Sequence, residues 1–86
     1  GCYTELHSQY LPVHHNYIVV FGHFNCREYA VDRLSQVQNL GIRATIRCVD
    51  GFFQVRTFYS YAHQDALDIE ALAHDHNCEA YVENRY

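Results

Sequence analysis

The sequence repeats one apolar pattern at a spacing of thirty-six residues, and this repeat restricts the fold more than any other feature. The matched pairs are Val19 with Val55, Ala30 with Ala66, Gly41 with Asn77, Ala44 with Ala80, and Ile46 with Val82. Each copy consists of a short alternating apolar run, a helix-length segment, a turn residue and a second short run. The chain is therefore predicted to contain two β-α-β units in one βαββαβ domain.

The helical segments have recognisable starts, stripes and ends. Asn25, with Glu28 three residues later, is similar to a capping box and predicts a helix from about Cys26 to Asn39. A second helix is predicted from about Ala62 to His74. The inward stripes are Ala30, Leu34, Val37 and Leu40 in the first helix, and Ala62, Ala66, Ile69 and Ala73 in the second. The residues that end the helices are Gly41 and Asn77.

The strands follow from period-two alternation and one hairpin signal. Asp50 and Gly51 predict a two-residue turn that pairs the second and third strands in antiparallel fashion. The strands are predicted over Tyr17–Phe21, Ile42–Val49, Phe52–Thr57 and Cys78–Glu83, with Gly22 to Phe24 as a turn after the first. The inward residues of the second and fourth strands are Ile42, Ala44, Ile46 and Cys48, and Cys78, Ala80 and Val82.

Both predicted helices need a sheet to cover their apolar stripes, so we expect them on one face of a four-stranded antiparallel sheet. This is an α+β fold of the ferredoxin or ribonucleoprotein type. The open face is expected to carry Ile18, Val20, Arg43, Thr45, Arg47, Phe52, Gln54, Arg56, Glu79, Tyr81 and Glu83. Aromatic rings and arginines on one face favour a sugar or nucleotide ligand, through stacking and bidentate hydrogen bonds. A solvated sheet face is the alternative.

Charge and composition narrow the choice of partner. The net charge is −4 and every basic residue is an arginine, which disfavours nucleic acid. No apolar run approaches the roughly 20 residues of a membrane span, and no signal peptide is recognisable. Any membrane anchor is expected outside this chain. Residues 1–15 are predicted to be an N-terminal extension and residues 16–86 the domain.

The cysteines and histidines raise three more specific hypotheses: a disulfide, a metal site and a nucleophilic cysteine. The presence of four cysteines favours an oxidising compartment and allows three sets of disulfide pairings. The first choice for a disulfide is Cys26 with Cys78, since they lie at adjoining ends of neighbouring predicted strands. A metal site of His63, His74, His76 and Cys78, and a nucleophilic Cys26 at a helix start, are less favoured than structural roles. No carboxylate pair, phosphate loop or catalytic triad stands out. We therefore predict a non-catalytic domain without a cofactor or metal.

The pattern as a whole resembles the SPOR domain, the sporulation-related repeat of bacterial cell-envelope proteins. The matching residues are Tyr17, Val19, Phe21, Gly22, His23, Phe24, Ala30, Leu34 and Gly41, then Gly51, Phe52, Phe53, Val55, Arg56 and Ala66. The resemblance covers about Asn16 to Glu83. It implies a periplasmic or extracytoplasmic module, enriched at the division septum, that binds peptidoglycan glycan strands stripped of stem peptides. It also implies other division or envelope proteins as further partners.

The resemblance assigns a glycan-binding surface position by position. The first strand of the family usually reads V-Q-V-G-S-F, so that Val20 and His23 replace its glutamine and serine. Phe52 stands at a frequent aromatic position of the third strand, and Gln54 at a frequent arginine position. The second-repeat G-P-F of the family is replaced by Phe58, Tyr59 and Ser60. The predicted glycan-binding residues are Val20, His23, Phe52, Gln54, Arg56, Glu79 and Tyr81.

Two rival functions use the same fold. The run from Asp50 to Val55 partly resembles the aromatic strand with which RNA-recognition domains stack bases, but Asp50 replaces a basic residue there. A protein-interaction or dimerisation domain is the other rival, with Ile18 and Val20 as an exposed apolar patch. A mass that depends on concentration would distinguish this rival from a monomeric glycan binder.

Overall fold

The computed structural model describes residues 15–85. The predicted extension lies outside this range except for its last residue, and so do Cys2 and Tyr86. Within the range, the elements are β1 (Tyr17–Phe24), α1 (Arg27–Gln38), β2 (Ala44–Val49), β3 (Phe52–Thr57), α2 (His63–Asp75) and β4 (Tyr81–Asn84). The predicted βαββαβ order is confirmed. In the described part of the chain, no helix has the length and apolarity to cross a lipid bilayer.

The four strands form one antiparallel sheet in the order β2-β3-β1-β4. The first strand of each repeat is therefore central, and the second strand of each repeat is an edge. The hairpin between β2 and β3 is confirmed, because Val49 pairs with Phe52 and the two turn residues Asp50 and Gly51 both have positive φ. The two units consequently meet through their central strands.

Both helices pack on one face of the sheet, as predicted. Helix α1 contacts β1, β2 and β3, and α2 contacts β1 and β4. The predicted turn residues Gly41 and Asn77 both have positive φ, at 85° and 59°. The core between the layers is small and consists of Val19, Phe21, Ala30, Val37, Ile42, Val55, Ala66, Ala73, Cys78 and Ala80.

The first repeat corrects three predictions. Strand β1 continues through Gly22 and His23 to Phe24, where the sequence predicted a turn. Because the strand is longer, α1 starts later: its N-cap is Cys26, not Asn25, and no side chain caps it. The predicted second strand began at Ile42, whereas β2 begins at Ala44.

Cys48 lies on the predicted helix-facing side of the sheet, where it pairs with Phe53, but it is not buried, and the predicted start of the fourth strand is wrong. Cys48 is exposed, because it lies near the far end of an edge strand. Strand β4 starts at Tyr81 instead of Cys78, because the preceding segment binds the end of α2: the Cys78 N–H donates to the Ala73 carbonyl at 2.8 Å. Cys78 and Ala80 are nevertheless buried, as predicted.

Thr57 joins the two central strands through its side chain. Its hydroxyl is buried, accepts a hydrogen bond from the Val19 N–H at 3.2 Å and donates one to the Tyr59 carbonyl at 2.9 Å. A buried hydroxyl with two hydrogen-bond partners contributes more to the free energy of unfolding than the packing of its one oxygen atom does, since removing it leaves a backbone donor and a backbone acceptor unpaired.

We expect Thr57→Val to lower the free energy of unfolding by about 1–3 kcal/mol, because the isosteric valine cannot pair with Val19 and Tyr59. Urea denaturation followed by circular dichroism measures this change. Thr57→Ser is the matched control, since it keeps the hydroxyl and should cost about 1 kcal/mol for the lost methyl. A Thr57→Val variant as stable as the native domain would contradict this role.

Candidate functional site on the open sheet face

A β-bulge in β1 sets which side chains reach the open face. Val20 pairs with Arg56, but Gly22 pairs with Val55, so β1 has one extra residue at Phe21–Gly22. Phe21 points into the core. Because of the extra residue, the side chains after it face the opposite side of the sheet from the one that unbroken alternation would give them. His23 pairs with Gln54 and so lies on the open face, whereas unbroken alternation would have directed it toward the helices.

Helix α1 holds this bulge in place through Arg33. The Arg33 guanidinium donates a hydrogen bond of 2.5 Å to the Phe21 carbonyl, lies 5.3 Å from the centroid of the Phe24 ring, and is 3.6 Å from a Glu79 carboxylate oxygen. Gly22 has φ of 146°, and a Cβ atom there would lie 2.9 Å from the Phe24 ring. The bulge therefore requires both the glycine and the cation behind it.

The bulge brings together three side chains from the three strands β1, β3 and β4. The Gln54 amide Nε2 is 3.1 Å from Nε2 of His23, and in this orientation the amide donates to the ring nitrogen. The His23 ring is stacked near the Tyr81 ring, with the centroids 6.4 Å apart and an interplanar angle of 24°. His23 is exposed, whereas Gln54 beneath it is only 3% exposed. The three residues form a polar cluster with an aromatic rim.

Arg56 lies beside this cluster on β3, opposite Val20 of β1 and Thr45 of β2. Burial, followed by the neighbouring charges of Arg47 and Arg85, lowers the pKa of Arg56, and Glu83 opposes this shift. The environment of Arg56 is thus net positive.

Tyr81 stays in its neutral phenol form on this face. Burial, followed by the carboxylates of Glu83 and Glu79, raises the pKa of the Tyr81 hydroxyl. A neutral phenol can donate as well as accept a hydrogen bond, and its ring remains partly accessible, at 40% exposure. Tyr81 therefore offers both a stacking surface and a polar contact.

Two buried polar atoms of β3 have no hydrogen-bond partner among residues 15–85: Oε1 of Gln54 and Nε of Arg56. Each such atom costs about 1–3 kcal/mol relative to a paired one, and native structures retain few of them. The two belong to alternate residues of one strand and so lie on the same face. Their coincidence makes this part of the sheet the candidate site.

The structure places most of the predicted site residues on the open face. His23, Phe52, Gln54, Arg56 and Tyr81 share the open face. Phe52 is 42% exposed and extends the site along β3.

Val20 and Glu79 are the two that differ. Val20 is on the same face but has no exposed surface, so it forms part of the floor. Glu79 precedes β4, and its carboxylate contacts Arg33 of α1. The predicted interface patch of Ile18 and Val20 is likewise wrong, because both side chains are buried.

Arg33 and the bulge are the parts of the site that the sequence prediction missed. A glycine inside a strand-like run is a known bulge signal, and Gly22 was interpreted as a turn instead. Arg33 carries no local signal, since its contacts with Phe21 and Glu79 depend on the packed fold.

The described cysteines are all free thiols, so the predicted Cys26–Cys78 disulfide is not formed. The two sulfur atoms of the predicted pair contact other groups: Cys26 Sγ is 3.8 Å from a Glu28 carboxylate oxygen, and Cys78 Sγ is 3.7 Å from the Glu79 carbonyl oxygen. Burial raises the pKa of the Cys78 thiol above its ordinary value, which keeps it protonated and unreactive.

The histidines considered as metal ligands make other contacts. The His74 ring is 2.9 Å from the Ala80 carbonyl oxygen, and the His76 ring is 3.1 Å from that of Leu72. Across residues 15–85, no three His, Cys, Asp or Glu side chains are grouped to hold a metal ion.

We expect iodoacetamide to alkylate Cys48 at least about tenfold faster than Cys78 in the native domain, because Cys48 is exposed and Cys78 reacts only after local opening. Mass spectrometry of proteolytic peptides gives the rate at each cysteine. In denaturant the two rates should converge. Equal rates in native buffer would show that Cys78 is not protected by the fold.

The bulge can be tested by adding a single methyl group. We expect Gly22→Ala to lower the free energy of unfolding by about 1–3 kcal/mol, since it adds backbone strain and a clash with Phe24. The ring proton signals of His23 and Tyr81 should shift in the NMR spectrum at the same time. Gly51→Ala is the control, because its φ is also positive but the added Cβ meets nothing within 4 Å. Unchanged His23 signals in Gly22→Ala would show that the bulge does not orient this ring.

The same fold occurs in a solved structure, the peptidoglycan-binding domain of the cell wall lytic enzyme CwlC of B. subtilis. The match has a TM-score of 0.72 and covers 78% of this chain and 85% of that domain, with 22% of residues identical. No family model and no curated protein sequence matches the chain. The chain is therefore a βαββαβ domain of the ferredoxin-like type, and its fold is that of the CwlC domain.

Proposed function

We propose that residues 16–86 form a non-catalytic, SPOR-like domain that binds peptidoglycan through its open sheet face. The ligand is the glycan strand, preferentially a strand that has lost its stem peptides. Such strands accumulate at the division septum. The parent protein would then act in the cell wall, outside the cytoplasm, with other division or envelope proteins as partners. Any membrane attachment would lie outside this chain.

The main support is the agreement between the fold of the chain and its sequence pattern. The structurally similar CwlC domain is a peptidoglycan-binding domain, and its fold covers most of this chain. The SPOR-like sequence pattern independently points to the same ligand class. The resemblance therefore rests on two different kinds of observation, the spacing of residues and the path of the backbone.

The chemistry of the face suits a sugar ligand. The exposed rings of Phe52, His23 and Tyr81 can stack on the apolar faces of pyranose rings. Gln54 orients the His23 ring from below, and the partly exposed guanidinium group of Arg56 supplies hydrogen-bond donors. Such a mixture of flat rings and fixed polar groups orients a sugar without reacting with it.

A catalytic function has little support from the same residues. Glu79, the acidic member of the predicted site, contacts Arg33 and is largely exposed. Glu83 forms an ion pair of 3.2 Å with Arg85. Neither carboxylate lies in the enclosed, apolar setting that keeps a general acid protonated for glycoside cleavage.

The test is a pull-down on purified peptidoglycan sacculi, both intact and treated with an amidase that removes the stem peptides. We expect the native domain to bind the stripped material more strongly than the intact material. Phe52→Ala and His23→Ala should each weaken binding by about tenfold, equivalent to about 1.4 kcal/mol, because each removes a stacking ring. Gln54→Ala should also weaken it, since the His23 ring loses its partner.

Tyr29→Ala is the matched control, because Tyr29 is 64% exposed but belongs to α1 on the opposite side of the sheet. Circular dichroism establishes that each variant is folded. Absence of binding to both preparations by folded native domain would refute the proposal, and an equal loss in Tyr29→Ala would refute the assignment to the open face.

A further inference from the structure

The open face concentrates positive charge on an acidic protein. The whole chain has a net charge of −4, yet the strands of this face carry Arg47 and Arg56, and Arg85 follows β4. Of the ion pairs between described residues, only that of Glu83 with Arg85 lies on this face. Arg47 and Arg56 are therefore left without a carboxylate partner among the residues 15–85.

The two arginines are close to one another in the sheet. Arg56 pairs with Thr45, and Arg47 pairs with Gln54, so Arg47 and Arg56 occupy diagonal positions on one face of β2 and β3. Like charges at such positions repel, and the lowered pKa of Arg56 has this repulsion among its causes. An anion placed between the guanidinium groups would relieve the repulsion and accept hydrogen bonds from both of them.

We propose that Arg56 and Arg47 form a carboxylate subsite that recognises the lactyl carboxylate of muramic acid, an assignment that rests on the peptidoglycan-binding function proposed above. In intact peptidoglycan this carboxyl group is tied up in the amide bond to the stem peptide and is neutral. Hydrolysis of that amide adds water, releases the peptide amine and leaves a carboxylate on the sugar. Each stripped muramic acid thus carries a negative charge that an unstripped one lacks.

This subsite gives the face a physical means of distinguishing stripped from intact strands. A guanidinium binds a carboxylate through two parallel charge-assisted hydrogen bonds, and binds a neutral amide more weakly. An adjoining group fits the rest of the sugar: Tyr81, whose ring is partly accessible, lies in the same cross-strand row as Arg56. Selection then comes from attraction to the new charge as well as from the space that the peptide vacates.

The test compares stripped glycan strands with the same strands after carbodiimide coupling to methylamine, which converts the lactyl carboxylates into neutral methylamides. We expect the native domain to bind the carboxylate strands about tenfold or more tightly than the methylamide strands, as measured by fluorescence anisotropy at low salt. Arg47→Gln should lower affinity for the carboxylate strands and leave affinity for the methylamide strands unchanged. Arg56→Gln should lower affinity for the carboxylate strands by a larger factor than affinity for the methylamide strands, because Arg56 also contacts the rest of the sugar.

Arg27→Gln is the control, because it removes the same charge from the exposed start of α1, away from the face. An equal loss in Arg27→Gln would show an effect of net charge and overturn the subsite. Should the partly buried Arg56→Gln variant not fold, the exposed Arg47→Gln and the strand comparison with native domain decide the question.

The outcomes separate this inference from the function on which it rests. Equal binding of native domain to carboxylate and methylamide strands would overturn the carboxylate subsite and leave peptidoglycan binding standing. No binding to either kind of strand by folded native domain would overturn the proposed function itself. A tenfold preference that disappears in Arg56→Gln and Arg47→Gln, but persists in Arg27→Gln, supports both.

Discussion

The contact between the Arg33 guanidinium and the Phe21 carbonyl is the interaction on which the site geometry depends. A bulge leaves a backbone group without its ladder partner, and a buried carbonyl in that position needs a donor from elsewhere in the fold. Arg33 supplies that donor from α1 and also lies against the Phe24 ring. The helix layer thereby fixes the orientation of side chains on the opposite side of the sheet.

The general architecture was predictable because its determinants are local and occur twice. The alternating apolar runs and the helix stripes each specify an element within a few residues. Gly41 and Asn77 occupy equivalent turns, and both adopt the positive φ that their residue types favour. The Asp50–Gly51 turn fixed the pairing of β2 with β3 in the same way. With two β-α-β units and one hairpin specified, few arrangements of a four-stranded sheet remained.

The candidate site was less predictable because side-chain direction in a strand depends on every residue before it. One extra residue at Phe21–Gly22 reverses the alternation, and only the resemblance, not the parity, directed attention to His23. Cys78 and Ala80 point inward as alternation required, but their segment bonds to the end of α2 and not to the sheet. Glu79 lies within that segment, and its carboxylate contacts Arg33. Gly22 was a sequence signal for the bulge, whereas the contacts of the segment before β4 with α2 and with Arg33 have no signature in the sequence.

The burial of Ile18 and Val20 changes how a ligand would meet this sheet. Both belong to the central strand β1, and the long side chains of Arg56, Tyr81 and Glu83 stand directly opposite them. The accessible groups of the face are therefore provided by the neighbouring strands and by His23 beyond the bulge. Since Gln54 is buried beneath His23, its amide is fixed before any ligand arrives, and less conformational entropy is lost on binding. Under the proposed function, this face would gain its selectivity from a few fixed polar atoms set in a floor of apolar side chains.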